Sequence, residues 1–272
     1  MSLPEYAMSQ LSFPEMYERF LVERLFQPFA AGLLDRLSPP PGTRLLDVAT
    51  GTGIVARLAR RRLGPAASIV GVDVSPGMIV EARKADPTVD WREGDATTGL
   101  PLRPGERFDI VTCQQGLQFM PDKSAAVRAM VDALGRGGRL AVATWRPHRD
   151  ISLFRDLHAV AESHLGPVVD HRHGFGEAEP LQALLESCNL SDIQVATETR
   201  TTCFENSAIF LRLNAMALVG MSAAGKAMSD AEKGTMVDRI VADSAAVAAR
   251  YADGTGIAFS NATNVAIGRR ND

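Results

Sequence analysis

Leu45-Leu46-Asp47-Val48-Ala49-Thr50-Gly51-Thr52-Gly53 reads as a buried strand that runs straight into a glycine-rich turn. The residues after it, Ile54 to Leu63, read as a helix. Gly51 and Gly53 permit a tight turn and let the backbone approach a ligand with no Cβ in the way. The following helix turns its free amides and its positive end toward the same place.

Twenty residues beyond Gly53 a second strand, Ser68-Ile69-Val70-Gly71-Val72-Asp73, ends in a carboxylate. An acid at the end of the second strand of an open parallel sheet can accept two hydrogen bonds from a ribose diol. In Val74-Ser75-Pro76-Gly77-Met78, Ser75 reads as an N-cap with Pro76 at the first helical position. That spacing puts Met78 in the first turn, beside the same crevice. A third strand near Val89 to Arg92 leads to Glu93-Gly94-Asp95-Ala96, and a fourth, Phe108 to Cys113, leads to Gln114-Gln115-Gly116.

This succession resembles the class I S-adenosylmethionine-dependent methyltransferases, most closely their ubiquinone/menaquinone-biosynthesis-like small-molecule branch. The matching residues are Asp47-Val-Ala-Thr-Gly-Thr-Gly53, Asp73, Met78, Gly94-Asp95-Ala96, and a Pro121-Asp122 helix start with Gly135-Arg-Gly-Gly-Arg-Leu140. The likeness covers residues 13 to 145 and beyond them is architectural. It implies a doubly wound, Rossmann-like α/β fold with a seven-stranded sheet, order 3-2-1-4-5-7-6, the last strand antiparallel, and a helical cap. It implies S-adenosyl-L-methionine as cofactor, held by Tyr17, Asp47, Ala49, Gly51, Thr52, Gly53, Asp73, Val74, Met78, Gly94, Asp95, Ala96 and Gln114. In the family the acid at Asp47 orients the methionine end, and the acid at Asp95 accepts from the adenine amino group. The implied activity is methyl transfer to a small, apolar or aromatic molecule.

Two other readings stay open. Gly51-x-Gly53-x-x-Ala56 with Asp73 also fits a dinucleotide fingerprint, hence an NAD(P)-dependent oxidoreductase. Against it stand the charge at Asp47 inside an apolar strand, the Gly94-Asp95-Ala96 turn, and a reversed final strand. The other alternative keeps the fold and loses the reaction: a non-catalytic cofactor-binding regulatory or partner protein.

With 272 residues the chain is long enough for one large domain, or one domain with a sizeable cap. A formal net charge of −3 gives no electrostatic footprint for nucleic acid. The one basic run, Arg57-Leu-Ala-Arg-Arg-Arg62, reads as the exposed back of the first helix. Cys113, Cys188 and Cys203 are odd in number and far apart, with no C-x-x-C pair, a reduced cytoplasmic pattern with no zinc site. The first thirty residues are too charged for a signal peptide, and no apolar run reaches membrane-spanning length. Oligomeric state is not legible.

Residues 1 to 12 look irregular. From Phe13 to Leu37 apolar residues recur at three and four, giving a helical leader that Pro28 is expected to break in two. In the resembling family such a leader (residues 1–40) folds over the cofactor, so Tyr17 either reaches it or packs its ring on the core. The core spans 41–203 and 252–272. It includes a helix Lys123 to Leu134, a fifth strand Arg139 to Trp145, helices Ile151 to Leu165 and Pro180 to Cys188, and a sixth strand Leu190 to Cys203. The last strand, Ile257 to Ile267, is delayed by helical stretches Ser207 to Gly220 and Ser229 to Tyr251. Residues 204–251 are therefore read as a helical insertion that caps the substrate.

Methyl transfer from a sulfonium is an in-line displacement in which the protein positions the partners. A base is needed only for an acceptor that arrives protonated. Cys113-Gln114-Gln115-Gly116-Leu117-Gln118-Phe119 follows the fourth strand. It holds no Asn/Asp-Pro-Pro-aromatic sequence, no Pro-Cys nucleophile and no acidic magnesium site, so a metal-independent small-molecule enzyme is expected. Gln118 and His148 are the candidates for catalysis, His148 because it follows the fifth strand on the ligand side. Asp170-His171-Arg172-His173 reads as a solvated loop, since His-x-His without a third ligand is weak evidence for metal.

Overall fold

The computed structural model describes residues 11–271, so the irregular start expected for residues 1–10 lies outside the described residues. Ser12 is not irregular: it caps α1 (Phe13–Met16) in a reciprocal capping box with Glu15. The leader continues as a π-helical stretch, Tyr17–Phe26, and then as α2 (Gln27–Leu37). From Tyr17 the leader is thus two helical elements, as expected, and the boundary falls at Pro28. Pro28 sits in the first turn of α2, where its missing N–H breaks no bond, and the change from π to α register falls there.

The chain then alternates β1 (Arg44–Val48), α3 (Ile54–Leu63), β2 (Ser68–Asp73), α4 (Pro76–Ala85), β3 (Asp90–Glu93), β4 (Phe108–Gln114), α5 (Lys123–Ala133) and β5 (Leu134–Trp145). After β5 come α6 (Ser152–Leu165), α7 (Ala178–Glu186) and β6 (Leu190–Phe204). Four helices follow, α8 (Ser207–Met221), α9 (Ala223–Lys226), α10 (Asp230–Asp243) and α11 (Ala245–Ala249), then β7 (Ala252–Asp253) and β8 (Gly256–Arg270). The sheet order is β3-β2-β1-β4-β5-β8-β6, with β8 antiparallel to both neighbours. This is the expected order. Among the described residues the strand count is eight instead of seven because the two-residue β7 folds back on β8.

Three further expectations are corrected. β5 begins at Leu134, so the Gly135-Arg-Gly-Gly138 stretch belongs to the strand, across an irregularity in its pairing with β4. The helix expected from Ser229 to Tyr251 is interrupted at Ser244, which ends α10 and starts α11. Arg57 is not on an exposed back: its side chain is 13% exposed and its guanidinium donates to both carboxylate oxygens of Glu18, tying α3 to the leader.

Strand alternation explains the two layers. Leu46, Val48, Val70, Val72 and Val111 face α5 and α7, while Leu45, Ile69 and Ile110 face α2, α3 and α4. Both faces are covered, so the strands are apolar throughout. Register then fixes the position of the late helices. Thr263 of β8 pairs with Trp145, the last residue of β5. Residues 256–262 of β8, paired with β6 up to Phe204, therefore overhang the C-terminal edge of the parallel strands. The four helices between Phe204 and Ala252 hang from that overhang, on the side where the glycine turn and Asp73 lie.

Candidate active site

Backbone bonds knit the three strand ends together. Thr50 N–H donates to Val72 O at 3.0 Å, and Gly94 N–H donates to Asp73 O at 3.0 Å. Ala49, Gly51 and Gly53 all take positive φ (54°, 58° and 91°). A Cβ on Gly53 would stand 2.2 Å from the Trp91 ring, and one on Gly71 2.4 Å from it. Gly53 thus does not clear space for a ligand, as its place in the motif suggested. Its missing side chain admits Trp91 beneath the turn, and Trp91 Nε1–H is satisfied by Asp86 O at 2.7 Å. Gly51 is the residue that faces the crevice, with the Tyr17 ring 3.7 Å from where its Cβ would be.

Asp73 is 8% exposed. One oxygen accepts from Gly51 N–H at 2.8 Å and the other from Ser75 N–H at 2.9 Å. Burial raises its pKa while these amides oppose the rise. The Val74 amide also favours the carboxylate, which with about four lone-pair positions keeps acceptor capacity. Asp47 is deeper, at 1% exposed. Its oxygens accept from Thr50 Oγ1 at 2.5 Å and Thr112 Oγ1 at 2.8 Å, and burial pushes its pKa up to about 6. Asp95 folds one oxygen onto Thr97 N–H and Oγ1 at 2.8 and 2.7 Å. Val74 is 64% exposed, Ala96 is buried, and Met78 N–H is held by Ser75 Oγ at 3.4 Å.

Buried polar atoms without a partner gather at the same edge. They include Thr52 Oγ1 and the side-chain oxygens of Gln114, Gln115 and Gln118. Each glutamine uses its amide nitrogen on the protein: Gln114 on Phe26 O, Gln115 on Thr263 Oγ1, Gln118 on Gln115 O. Turned either way, each amide keeps one unpaired end, which is costly unless a ligand fills it. Cys113 is wholly buried, and burial holds its thiol protonated with a pKa near 12, so it is no nucleophile.

The late histidines are arranged differently from the sequence reading. His173 and Asp170 are each 6% exposed and are not part of a solvated loop, whereas His171 is exposed. His148, His158 and His173 come together, with His148 stacked on His158 at 4.1 Å between centroids. His158 was readable as inward-facing, because Leu157, Ala161 and Leu165 define that face of α6. Its meeting with His148 was not readable. Cavities of about 370 and 380 Å³ open along α10 and between Asp150 and Ala262, and neither is lined by Gly51, Asp73 or Gln114. Orphaned polar atoms mark this site.

Residues 45–138 match the family model of the methyltransferase domain. Over those residues the chain is similar to the class I S-adenosylmethionine-dependent methyltransferases. Over 130 residues it is 35% identical to aklanonic acid methyltransferase DauC of Streptomyces sp. (strain C5), covering 46% of this chain and 58% of that one. Over 140 residues it is 33% identical to the 2-phytyl-1,4-naphtoquinone methyltransferase of Thermosynechococcus vestitus, covering 47% and 61%. The matched part thus spans about three-fifths of the length of these curated relatives. Haemonchus contortus phosphoethanolamine N-methyltransferase 2, solved with S-adenosyl-L-methionine, superposes with a TM-score of 0.56 at 16% identity, covering 94% of this chain and 55% of that one. The [4+2]-cyclase SpnF superposes at 0.53 and 20% identity, covering 90% and 82%. Methyltransferase architecture therefore hosts more than one reaction, and function has to be argued from the site.

Proposed function

We propose that this chain transfers a methyl group from S-adenosyl-L-methionine to a small, apolar or aromatic molecule without a metal ion. The observation that carries the reading is Asp73: a buried carboxylate at the C-terminal edge of a parallel sheet, with acceptor capacity left after Gly51 and Ser75 are served. The residues fit the cofactor. Asp73 would accept from the ribose hydroxyls, and the second oxygen of Asp95 from the adenine amino group. Val74, Met78, Gly94 and Ala96 would flank the adenine. Gly51, Thr52 and Gln114 would take the methionine end, with Ala49 and Gly53 shaping the turn and Tyr17 closing over it. Asp47, both oxygens engaged by threonines, would act through Thr50 or ordered solvent. When bound, the cofactor supplies an activated methyl group on sulfur. The chain's own work is to orient the acceptor and keep water out.

The leader and the inserted helices supply the roof. Met16 and Phe20 are packed by Ile209 and Leu213 of α8, while Phe210 and Leu211 pack instead on Phe154 and Phe259. No helix among the described residues is long and apolar enough to cross a membrane. Titration calorimetry with S-adenosylhomocysteine tests the reading. Asp73→Ala should weaken binding by about 1.5–3 kcal/mol, the worth of hydrogen bonds to a charged acceptor. Tight NADH binding with no binding of S-adenosylhomocysteine would overturn it. Tight product binding with no turnover on any acceptor would point to a non-catalytic relative.

A further inference from the structure

Three histidines far apart in sequence meet just past the C-terminal end of β5. The His148 ring lies 4.1 Å from that of His158, tilted 24°, and 6.3 Å from that of His173. His173 Nδ1 lies 2.7 Å from Arg146 O, a contact that requires the proton on that nitrogen. His158 has Nε2 at 3.4 Å from Glu162, and its Nδ1 is buried without a partner. His148 is the half-buried member, and its ring makes no hydrogen bond to any described residue. The rings stack rather than converge, and among the described residues no group of His, Cys, Asp and Glu is placed to hold a metal ion.

The stack adjoins the glutamine segment. The turn carrying His171–His173 packs against Leu117–Phe119, and Gln115 reaches Thr263, the partner of Trp145. Gln115 and Gln118 are 6% and 5% exposed, each with an amide oxygen that lacks a donor. An aromatic series runs from the leader to the end of β5: Tyr17 on Phe26 at 4.9 Å, Phe26 on Trp145 at 5.8 Å, Trp145 on Phe29 at 5.0 Å. Unpaired acceptor oxygens ask for hydroxyl donors, and nearby aromatic rings favour a flat one.

We propose that His148 is the general base for a phenolic or enolic acceptor whose reacting hydroxyl donates to His148 while neighbouring hydroxyl groups donate to the free amide oxygens of Gln115 and Gln118, so that this enzyme is an O-methyltransferase. The assignment rests on the methyl-transfer reading above. The acceptor O–H bond breaks and its proton goes to a free ring nitrogen of His148. The oxygen forms its bond to the methyl carbon as the carbon–sulfur bond breaks, and sulfur keeps that pair as a thioether. Positive charge thus passes from sulfonium to imidazolium.

The surroundings keep the base neutral until then. Burial lowers the pKa of His148, His158 adds to the effect, and burial takes His173 down to about 4. Arg172 stands on the same side, held bidentate by Asp170 and by Asn214 Oδ1. Asp170 and Glu162 oppose the lowering. On the His148 segment, Arg146 pairs with Asp150, and Arg149 with Glu177.

The test uses the full chain and a panel of phenols, enols and amines. His148→Gln should lower kcat at least ~100-fold for phenols that are protonated at the assay pH, the low end of general-base effects. It should lower kcat less than ~3-fold for nitrophenols already ionised there, with KM little changed. Gln118→Ala should instead raise KM, and His171→Asn, on the exposed side of the loop, should change nothing. NMR of ring-labelled histidine supplies a readout without turnover: His148 should titrate below the ordinary histidine value of about 6.5. Wild-type kcat should rise through that midpoint to a plateau, and His148→Gln should lack the rise. Equal loss on ionised and protonated phenols, no loss on either, or titration above pH 7 would overturn the proposal. Turnover of amines alone would overturn the oxygen assignment while leaving methyl transfer intact. Absence of S-adenosylhomocysteine binding would sink the underlying reading instead.

Discussion

Asp47 shows how one side chain can carry a fold signature and a cost together. A charge inside an apolar strand marked the family in the sequence. The structure buries it, satisfies it with Thr50 and Thr112, and raises its pKa to about 6. A raised folded-state pKa means that the native state holds a proton the unfolded chain has already lost. The associated stability is present below the ordinary carboxylate pKa and is lost as pH rises toward 6. Asp47→Asn removes this titration, and the threonine hydroxyls can serve an amide as well as a carboxylate. Urea unfolding from pH 4 to 7 should therefore show wild type losing stability relative to Asp47→Asn between about pH 4 and 6. The slope should approach ~1.4 kcal/mol per pH unit and flatten above. Parallel curves across that range would show that Asp47 is ionised throughout.

Among the elements, the leader is the one whose packing decides whether the site can close. Glu18 docks it on α3 through Arg57, Phe20 docks it on α8, and Tyr17 lies over Gly51 between them. The helical periodicity of the leader was plain in the sequence, but its partners were not, because Glu18–Arg57 and Phe20–Leu213 join segments distant along the chain. Phe20→Ala should cost about 3–5 kcal/mol, as buried Phe truncations do. With Leu213→Ala in a double-mutant cycle, residues in contact should couple by about 0.5–3 kcal/mol. Strict additivity in urea unfolding would mean that the leader and α8 do not support one another in solution.

For the whole molecule, the C-terminal edge of the sheet is where three separately encoded parts meet: the strand-end turns, the leader, and the helices hung on the β6–β8 overhang. A ligand that bridges them should stabilise the entire fold. S-adenosylhomocysteine at about 100 times its Kd contributes ~2.7 kcal/mol by mass action, which for a chain of this size is a Tm rise of ~5–10 °C. NADH, EDTA and magnesium in parallel melts should leave Tm unchanged. A rise with magnesium, or with NADH in place of the homocysteine product, would contradict the cofactor assignment.

The parallel core was legible because its causes are local: apolar runs bounded by glycine turns, Ser75 and Pro76 opening α4, and carboxylates at fixed strand ends. The strand order of the sheet followed from the same signals by resemblance. What tertiary structure alone decided are contacts between residues with no fixed spacing. Trp91 fills the place beneath Gly53 and Gly71, Arg57 faces the leader instead of water, and His173 leaves the apparent surface loop to join His148 and His158. Backbone conformation is a property of neighbours in sequence and leaves its mark there. Burial of a polar side chain depends on which distant segment covers it, and that is settled only when the sheet and its cap have packed.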